Sequence, residues 1–146
     1  MQYFKILAIL AALGAGPTYA AGTETTVEPA GSAYQSAEAA ILAGDFAGAV
    51  PILTALTAAE PQNADAWNLL GFASRKSGDL AAAGVAYGRA LEIDPDHLGA
   101  LEYQGEMYLD LMQPDMAKAN LARLQELCGD CEEAEDLAQA LAAAGA

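Results

Sequence analysis

The stretch Trp67-Asn68-Leu69-Leu70-Gly71-Phe72-Ala73-Ser74-Arg75-Lys76-Ser77-Gly78-Asp79-Leu80-Ala81-Ala82-Ala83-Gly84-Val85-Ala86-Tyr87-Gly88-Arg89-Ala90-Leu91-Glu92-Ile93-Asp94-Pro95 decides the fold. Trp67, Leu70 and Ser74 recur at helical spacing and place a first helix over Ala64 to Ser77. Gly78 follows as a C′ residue, because glycine tolerates the left-handed backbone that ends a helix. Asp79 is suited to cap a second helix by accepting from its free amides. That helix carries Ala83, Tyr87, Ala90 and Leu91 on one face, and Asp94-Pro95 stops it, since the residue before proline is pushed out of the helical region.

The same pattern recurs every 34 residues on either side. Pro61 aligns with Pro95, Gly44-Asp45-Phe46 with Gly78-Asp79-Leu80, and Gly71 with Gly105. Ala49, Ala83 and Ala117 share one register, as do Leu53, Tyr87 and Leu121. A fixed period of this length marks a repeat architecture, and it divides the chain into units 30–63, 64–97 and 98–131 of two helices each.

Trp67, Leu70, Gly71, Gly78, Ala83, Tyr87, Ala90 and Pro95 resemble the signature of the tetratricopeptide repeat (TPR) almost position for position. The resemblance covers Ala30 to Cys131 and implies an all-α solenoid of about three helix pairs. Small residues at Gly71 and Ala83 let the paired helices approach closely, with Trp67 and Tyr87 filling the space on either side. The outer units depart from the pattern. The first has Ala33 for the large aromatic and Ala37 for glycine, so its first helix is expected to be weakly anchored. The third has Leu101 for the aromatic and Gln104 for the usual leucine. Its turn is Met112-Gln113-Pro114-Asp115, without glycine, and Pro114 suits a first helical position.

Residues 132–146 add one more helix, with Ala134, Leu137, Ala138 and Leu141 as its apolar stripe and acids in its first turns. Repeat arrays need a final helix to cover their last face, so this one reads as a cap. At the other end, residues 1–20 read as a secretory signal peptide: Lys5, an apolar run Ile6 to Leu13, and Thr18-Tyr19-Ala20 before a cut after Ala20. The run is shorter than the roughly 20 residues that cross a bilayer. Residues 21–29, rich in Thr, Glu, Gly and Pro, read as a flexible lead-in. A periplasmic or secreted protein of bacterial type is the expectation.

Six Lys and Arg stand against 20 Asp and Glu, a formal charge of −14. Without Lys5 the balance is 5 − 20 = −15. Such a surface repels phosphate backbones and anionic lipid, which argues against nucleic-acid and membrane partners. The acidity serves solubility or the attraction of a basic protein partner. Cys128 and Cys131 flank Gly129-Asp130. An oxidising compartment favours a structural disulfide; a redox or copper-related pair and free thiols are the other readings. Asp130, Glu132, Glu133 and Glu135 oppose a stabilised thiolate. His97, the sole histidine, reads as a solvated turn residue. No nucleophile–base pair, phosphate loop or metal-ligand cluster stands out, so neither an enzyme, a cofactor nor a bound metal is expected.

The resemblance also implies a groove lined by the first helix of each unit, where TPR proteins hold a partner segment. The matching positions are Tyr34 and Glu38, then Asn68, Phe72 and Arg75, then Glu102, Tyr103 and Glu106. Phe72 and Tyr103 are the expected apolar anchors, and Glu38, Glu102 and Glu106 the exposed acids that steer a basic ligand. The family's carboxylate clamp needs several Lys, Asn and Arg. Tyr34, Glu38, Leu69, Gly99 and Tyr103 occupy those positions, so that mode is not expected. A non-catalytic scaffold is the leading reading; a thiol–disulfide or metal-handling factor built on Cys128 and Cys131 is the rival.

Overall fold

A computed structural model describes residues 30–146; the signal peptide and lead-in expected over residues 1–29 lie outside the described residues. The described residues form seven helices and no strand. They are α1 (Ala30–Leu42), α2 (Phe46–Ala59), α3 (Ala64–Lys76), α4 (Leu80–Ile93), α5 (Leu98–Asp110), α6 (Pro114–Cys128) and α7 (Glu132–Ala143). Pairs α1–α2, α3–α4 and α5–α6 pack within themselves, and each pair packs on the next through α2–α3, α4–α5 and α6–α7. First helices also touch one another, α3 on α5 and α5 on α7, whereas no second helix packs comparably on the next second helix. The stack therefore curves toward α1, α3, α5 and α7, and these helices line its inner face.

Local chemistry sets each boundary. Asp45 and Asp79 cap α2 and α4, accepting from the amides of Gly48 and Ala82 at 2.9 Å. The preceding turns need a left-handed residue, supplied by Gly44 (φ 76°) and Gly78 (φ 92°). The third turn has no glycine, and Met112 takes that conformation at φ 59° with its side chain exposed. Gln113, in the register of the two capping aspartates, makes no side-chain cap bond, and α6 starts on Pro114.

Tyr87 is fully buried against Gly71, so closely that a methyl on Gly71 would lie 2.5 Å from the ring. Trp67 departs from expectation. It is half-buried, and its indole N–H donates to the Pro61 carbonyl at 3.2 Å. The ring lies over a shallow outer cleft with Val50, Leu70 and Val85, because small residues dominate the facing helix. The first helix is better anchored than its alanines suggest: Ala37 is fully buried, and Ala33, Tyr34 and Ala40 pack on the buried cluster that contains Leu53 and Leu56. Gln104 has a reason to replace leucine, since its Oε1 accepts from Asn120, which also donates to the Leu101 carbonyl. In α7, Ala134, Leu137 and Leu141 are buried, with Leu137 seated on Gly105.

Candidate functional site

The inner face is built from equivalent positions of the first helices. Tyr34, Asn68, Glu102 and Asp136 follow one another at 34-residue intervals on α1, α3, α5 and α7 and form one row. A second row, one turn further on, holds Glu38, Phe72 and Glu106. The repeat period alone gives these side chains equivalent positions.

At the amino-terminal end, Gly31, Tyr34, Glu38, Glu60, Asn63 and Asp65 line an open cavity of about 390 Å³. Its acids are partly engaged: Glu60 accepts from Asn63 at 2.7 Å, and Asp65 bonds His97 at 3.0 Å. Burial raises the Tyr34 phenol above its ordinary range, and Asp65 and Glu38 add to the shift. His97 is not a solvated turn residue. Its Nδ1 accepts from the Ala100 amide and caps α5, while Nε2 reaches Asp65 on α3. That pattern fixes the tautomer with the proton on Nε2.

Midway, Phe72 meets Tyr103 at 4.9 Å between ring centroids and Phe46 at 5.9 Å. Lys76 lies 5.4 Å over the Phe72 ring. Both expected anchors are thus half-buried and spend part of their surface joining successive repeats. Arg75 is likewise committed. Its guanidinium pairs with Glu106 and, at 2.5 Å, with Asp110, bridging α3 to α5 with only 12% of its side chain exposed. These pairs keep the Arg75 guanidinium charged despite the opposing effect of its burial. Glu106 is therefore an ion-pair partner and not a free steering charge.

Glu102 differs most from expectation. It is 7% exposed instead of displayed to solvent, and Glu106 and the α7 acids lie near enough to act on it. Burial pushes its carboxyl up to about 8, and Glu106, Asp136, Glu133 and Glu132 push the same way. Glu38 alone of the three expected steering acids is exposed. As a capping helix, α7 does not suggest Glu133 and Asp136 as inner-face residues. The signal was present: adding one period to Gly99 and Glu102 reaches both.

Cys128 and Cys131 are bonded to each other at the joint between α6 and α7. Among the described residues no group of three or more His, Cys, Asp or Glu gathers as a metal site. No helix of the described residues is long and apolar enough to cross a membrane.

A tetratricopeptide-repeat family model matches residues 40–101. Among solved structures, the chain resembles the first TPR of Spaghetti (RPAP3) bound to the HSP90 peptide SRMEEVD, with TM-score 0.71 and 19% identity over 80% of this chain and 94% of that one. The first TPR domain of the human RPAP3 protein, solved by NMR, gives TM-score 0.69 and 20% identity over the same shares. The MamA RS-1 ArsTM double mutant gives TM-score 0.64 and 24% identity over 67% of this chain and 55% of that one. At these identities the likeness concerns the fold. No curated protein sequence matches the chain.

Proposed function

Taking as premise that the chain belongs to the tetratricopeptide-repeat family, we propose that it is a non-catalytic scaffold holding a segment of a partner protein on the inner face of α1, α3, α5 and α7. TPR proteins are in general interaction modules, and that coarse role follows from the family. The groove reading is supported by one observation: open cavities of about 390 and 350 Å³ lie against the first helices, one toward each end of the stack. The first is lined by Tyr34 and Glu38, the second by Arg75, Glu106 and Ala140. A solenoid stacked this way offers an extended concavity that suits an extended segment.

The charge argues for a basic partner. The RPAP3 domain in the solved complex holds SRMEEVD, a peptide with three acids and one base. Here Glu38 on α1 and Asp136 on α7 are exposed acids, which disfavour such a ligand and attract the opposite sign. We also assign the protein to the periplasm or another extracytoplasmic space, with cleavage after Ala20. The apolar run Ile6 to Leu13 supports that assignment, as does a disulfide, which persists in oxidising compartments.

Capture from the native envelope tests both parts. Tagged protein should retain a partner identifiable by mass spectrometry, and its mass should show Ala21 at the amino terminus. Glu38→Arg on the inner face should release the partner, and Val85→Arg on the exposed outer surface should not. Release by Val85→Arg alone would move the contact to the outer face, and retention of Met1 would refute cleavage.

A further inference from the structure

The row Tyr34, Asn68, Glu102 and Asp136 contains two buried side chains, one of them with a buried acceptor left unpaired. Asn68 is 8% exposed, and its Oδ1 is buried without a partner. Glu102 is 7% exposed, and no described residue donates a hydrogen bond to it. They lie on α3 and α5, two helices in contact. The Asn68 amide nitrogen lies against Gly99, one turn before Glu102, where a methyl group would stand 3.2 Å away. Glu106 faces Glu102 from its own helix, beside Tyr103; Asp136, Glu133 and Glu132 face it from α7. Arg75, on α3, gives its donors to Glu106 and Asp110, so it leaves Glu102 uncompensated.

This arrangement is costly in the free protein. A buried polar group without a partner loses its hydration for nothing, and a buried carboxylate beside like charges loses more. The positive end of the α7 dipole explains Glu132 and Glu133, which sit in its first turn. It does not explain Glu102, which lies within α5, nor the empty acceptor on Asn68 on another helix. Asn68 Oδ1 and the deprotonated Glu102 carboxylate offer acceptors, with negative charge added by Glu133 and Asp136, to a group that has only donors. A guanidinium is such a group. It carries five N–H donors in a planar fork and no acceptor, and it is more weakly hydrated than an ammonium.

Resting on the groove reading above, we propose that the floor between α3, α5 and α7 is a receptor for an arginine side chain of the partner segment, with Asn68 Oδ1 and the Glu102 carboxylate as acceptors and Glu133 and Asp136 as flanking charges. The terminal helix is then part of the binding site and not only a cover for the last repeat.

The probe is an end-blocked, extended nonapeptide with one central arginine among Gly and Ser, titrated into the full chain and followed by NMR shifts and calorimetry. Its partner probe replaces arginine by citrulline, which keeps the shape and removes the charge. Charge-assisted hydrogen bonds of the ordinary strength make the arginine peptide about tenfold tighter. Glu102→Gln should remove that advantage. Glu135→Gln makes the same substitution at an exposed position of α7 and should change affinity by less than about twofold. Affinity of the parent should rise from about pH 6 to about pH 9 as Glu102 gives up its proton, and Glu102→Gln should flatten that rise, because a guanidinium does not titrate there. Circular dichroism establishes that each variant is folded. Equal binding of the citrulline peptide, or equal losses from the two substitutions, would overturn the proposal in favour of diffuse charge attraction. If Glu38→Arg releases the native partner while Glu102→Gln leaves both partner and peptide bound, this receptor fails and the groove reading stands. If Glu38→Arg releases nothing, the groove reading itself falls.

Discussion

Gly71→Ala and Gly88→Ala make the same chemical change at interior positions of adjacent helices, and they should move stability in opposite directions. A methyl on Gly71 would lie 2.5 Å from Cδ1 and Cε1 of Tyr87 and 2.9 Å from Cζ. Unstrained carbon contacts sit near 3.5–4.0 Å, so the ring has to retreat by about 1 Å. It has little room, being fully buried in a cluster with Ala83 and Met107 flanked by Leu80, Tyr103 and Tyr108. Overpacking of this kind costs about 1–3 kcal/mol, and a rigid ring belongs in the upper half of that range. The gain in helix propensity returns about 1 kcal/mol, leaving a net loss of about 1–2 kcal/mol. At Gly88 a methyl meets nothing within 4 Å, so the propensity gain stands alone. Thermal and urea melts should place Gly71→Ala about 5–10 °C below the parent and Gly88→Ala a few degrees above it. A double-mutant cycle with Tyr87→Leu, which removes the ring from the contact, should make Gly71→Ala neutral or stabilising. If Gly71→Ala is as stable as Gly88→Ala, the close approach of α3 and α4 does not depend on a missing side chain, and the packing argument is wrong.

The irregular third turn should be improvable. Met112→Gly relieves a left-handed non-glycine residue, and Gln113→Asp restores the cap found at Asp45 and Asp79. Each should stabilise by about 0.5–1 kcal/mol, visible as additive increases in unfolding midpoint. Arg75→Ala should cost about 2–3 kcal/mol by leaving Glu106 and Asp110 uncompensated at the α3–α5 contact, and a loss under about 0.5 kcal/mol in denaturant melts would show that the bridge contributes nothing. The Glu102 carboxyl is raised to about 8 in the folded chain, so the folded state holds a proton that the unfolded state has released above the ordinary carboxyl range. Stability therefore falls as pH rises through that interval, and melts of Glu102→Gln against the parent should show a shallower decline. Replacing both cysteines by serine should cost no more than about 2 kcal/mol, because the bond joins residues only three apart and closes a very short loop. Melts with and without reductant measure it, and a loss well beyond that figure would show native-state interactions specific to the disulfide.

The fold was legible because its signals are local and repeated. Gly78-Asp79 announces a helix end and a cap within two residues, and the period copies that statement along the chain. The inner-face residues were legible as positions, since a 34-residue offset fixes which side chains share a row. Their states were not. Whether Glu102 is displayed or buried depends on α7, which returns from a distant part of the sequence to cover it. Whether Arg75 is free depends on Glu106 and Asp110, which lie one repeat away. His97 looked like a turn residue because its two partners, Ala100 and Asp65, belong to different helices. Trp67 looked like core because the residue type is large and apolar, yet the alanines of the facing helix are too small to enclose it. Burial and pairing are properties of several segments at once, and a one-dimensional pattern records only one.

The joints between repeats give the disulfide its role. Asn63, His97 and Cys131 occupy the same register, each as the N-cap of a first helix. Asn63 accepts from the Ala66 amide at 3.0 Å, and His97 from the Ala100 amide at 3.2 Å. Cys131 makes no side-chain cap bond. At this joint the covalent link to Cys128 holds the turn in place of the cap. What it holds is the start of α7, and so the placement of Glu132, Glu133 and Asp136 beside Glu102. A terminal helix has no following repeat to press it into position, and the acids of α7 add to the raised carboxyl of Glu102 on α5. Leu137 seated on Gly105 supplies the apolar attraction, and the disulfide restrains the one joint that lacks a side-chain hydrogen bond. The acids of α7 are therefore set beside Glu102 where the chain has added its one covalent restraint.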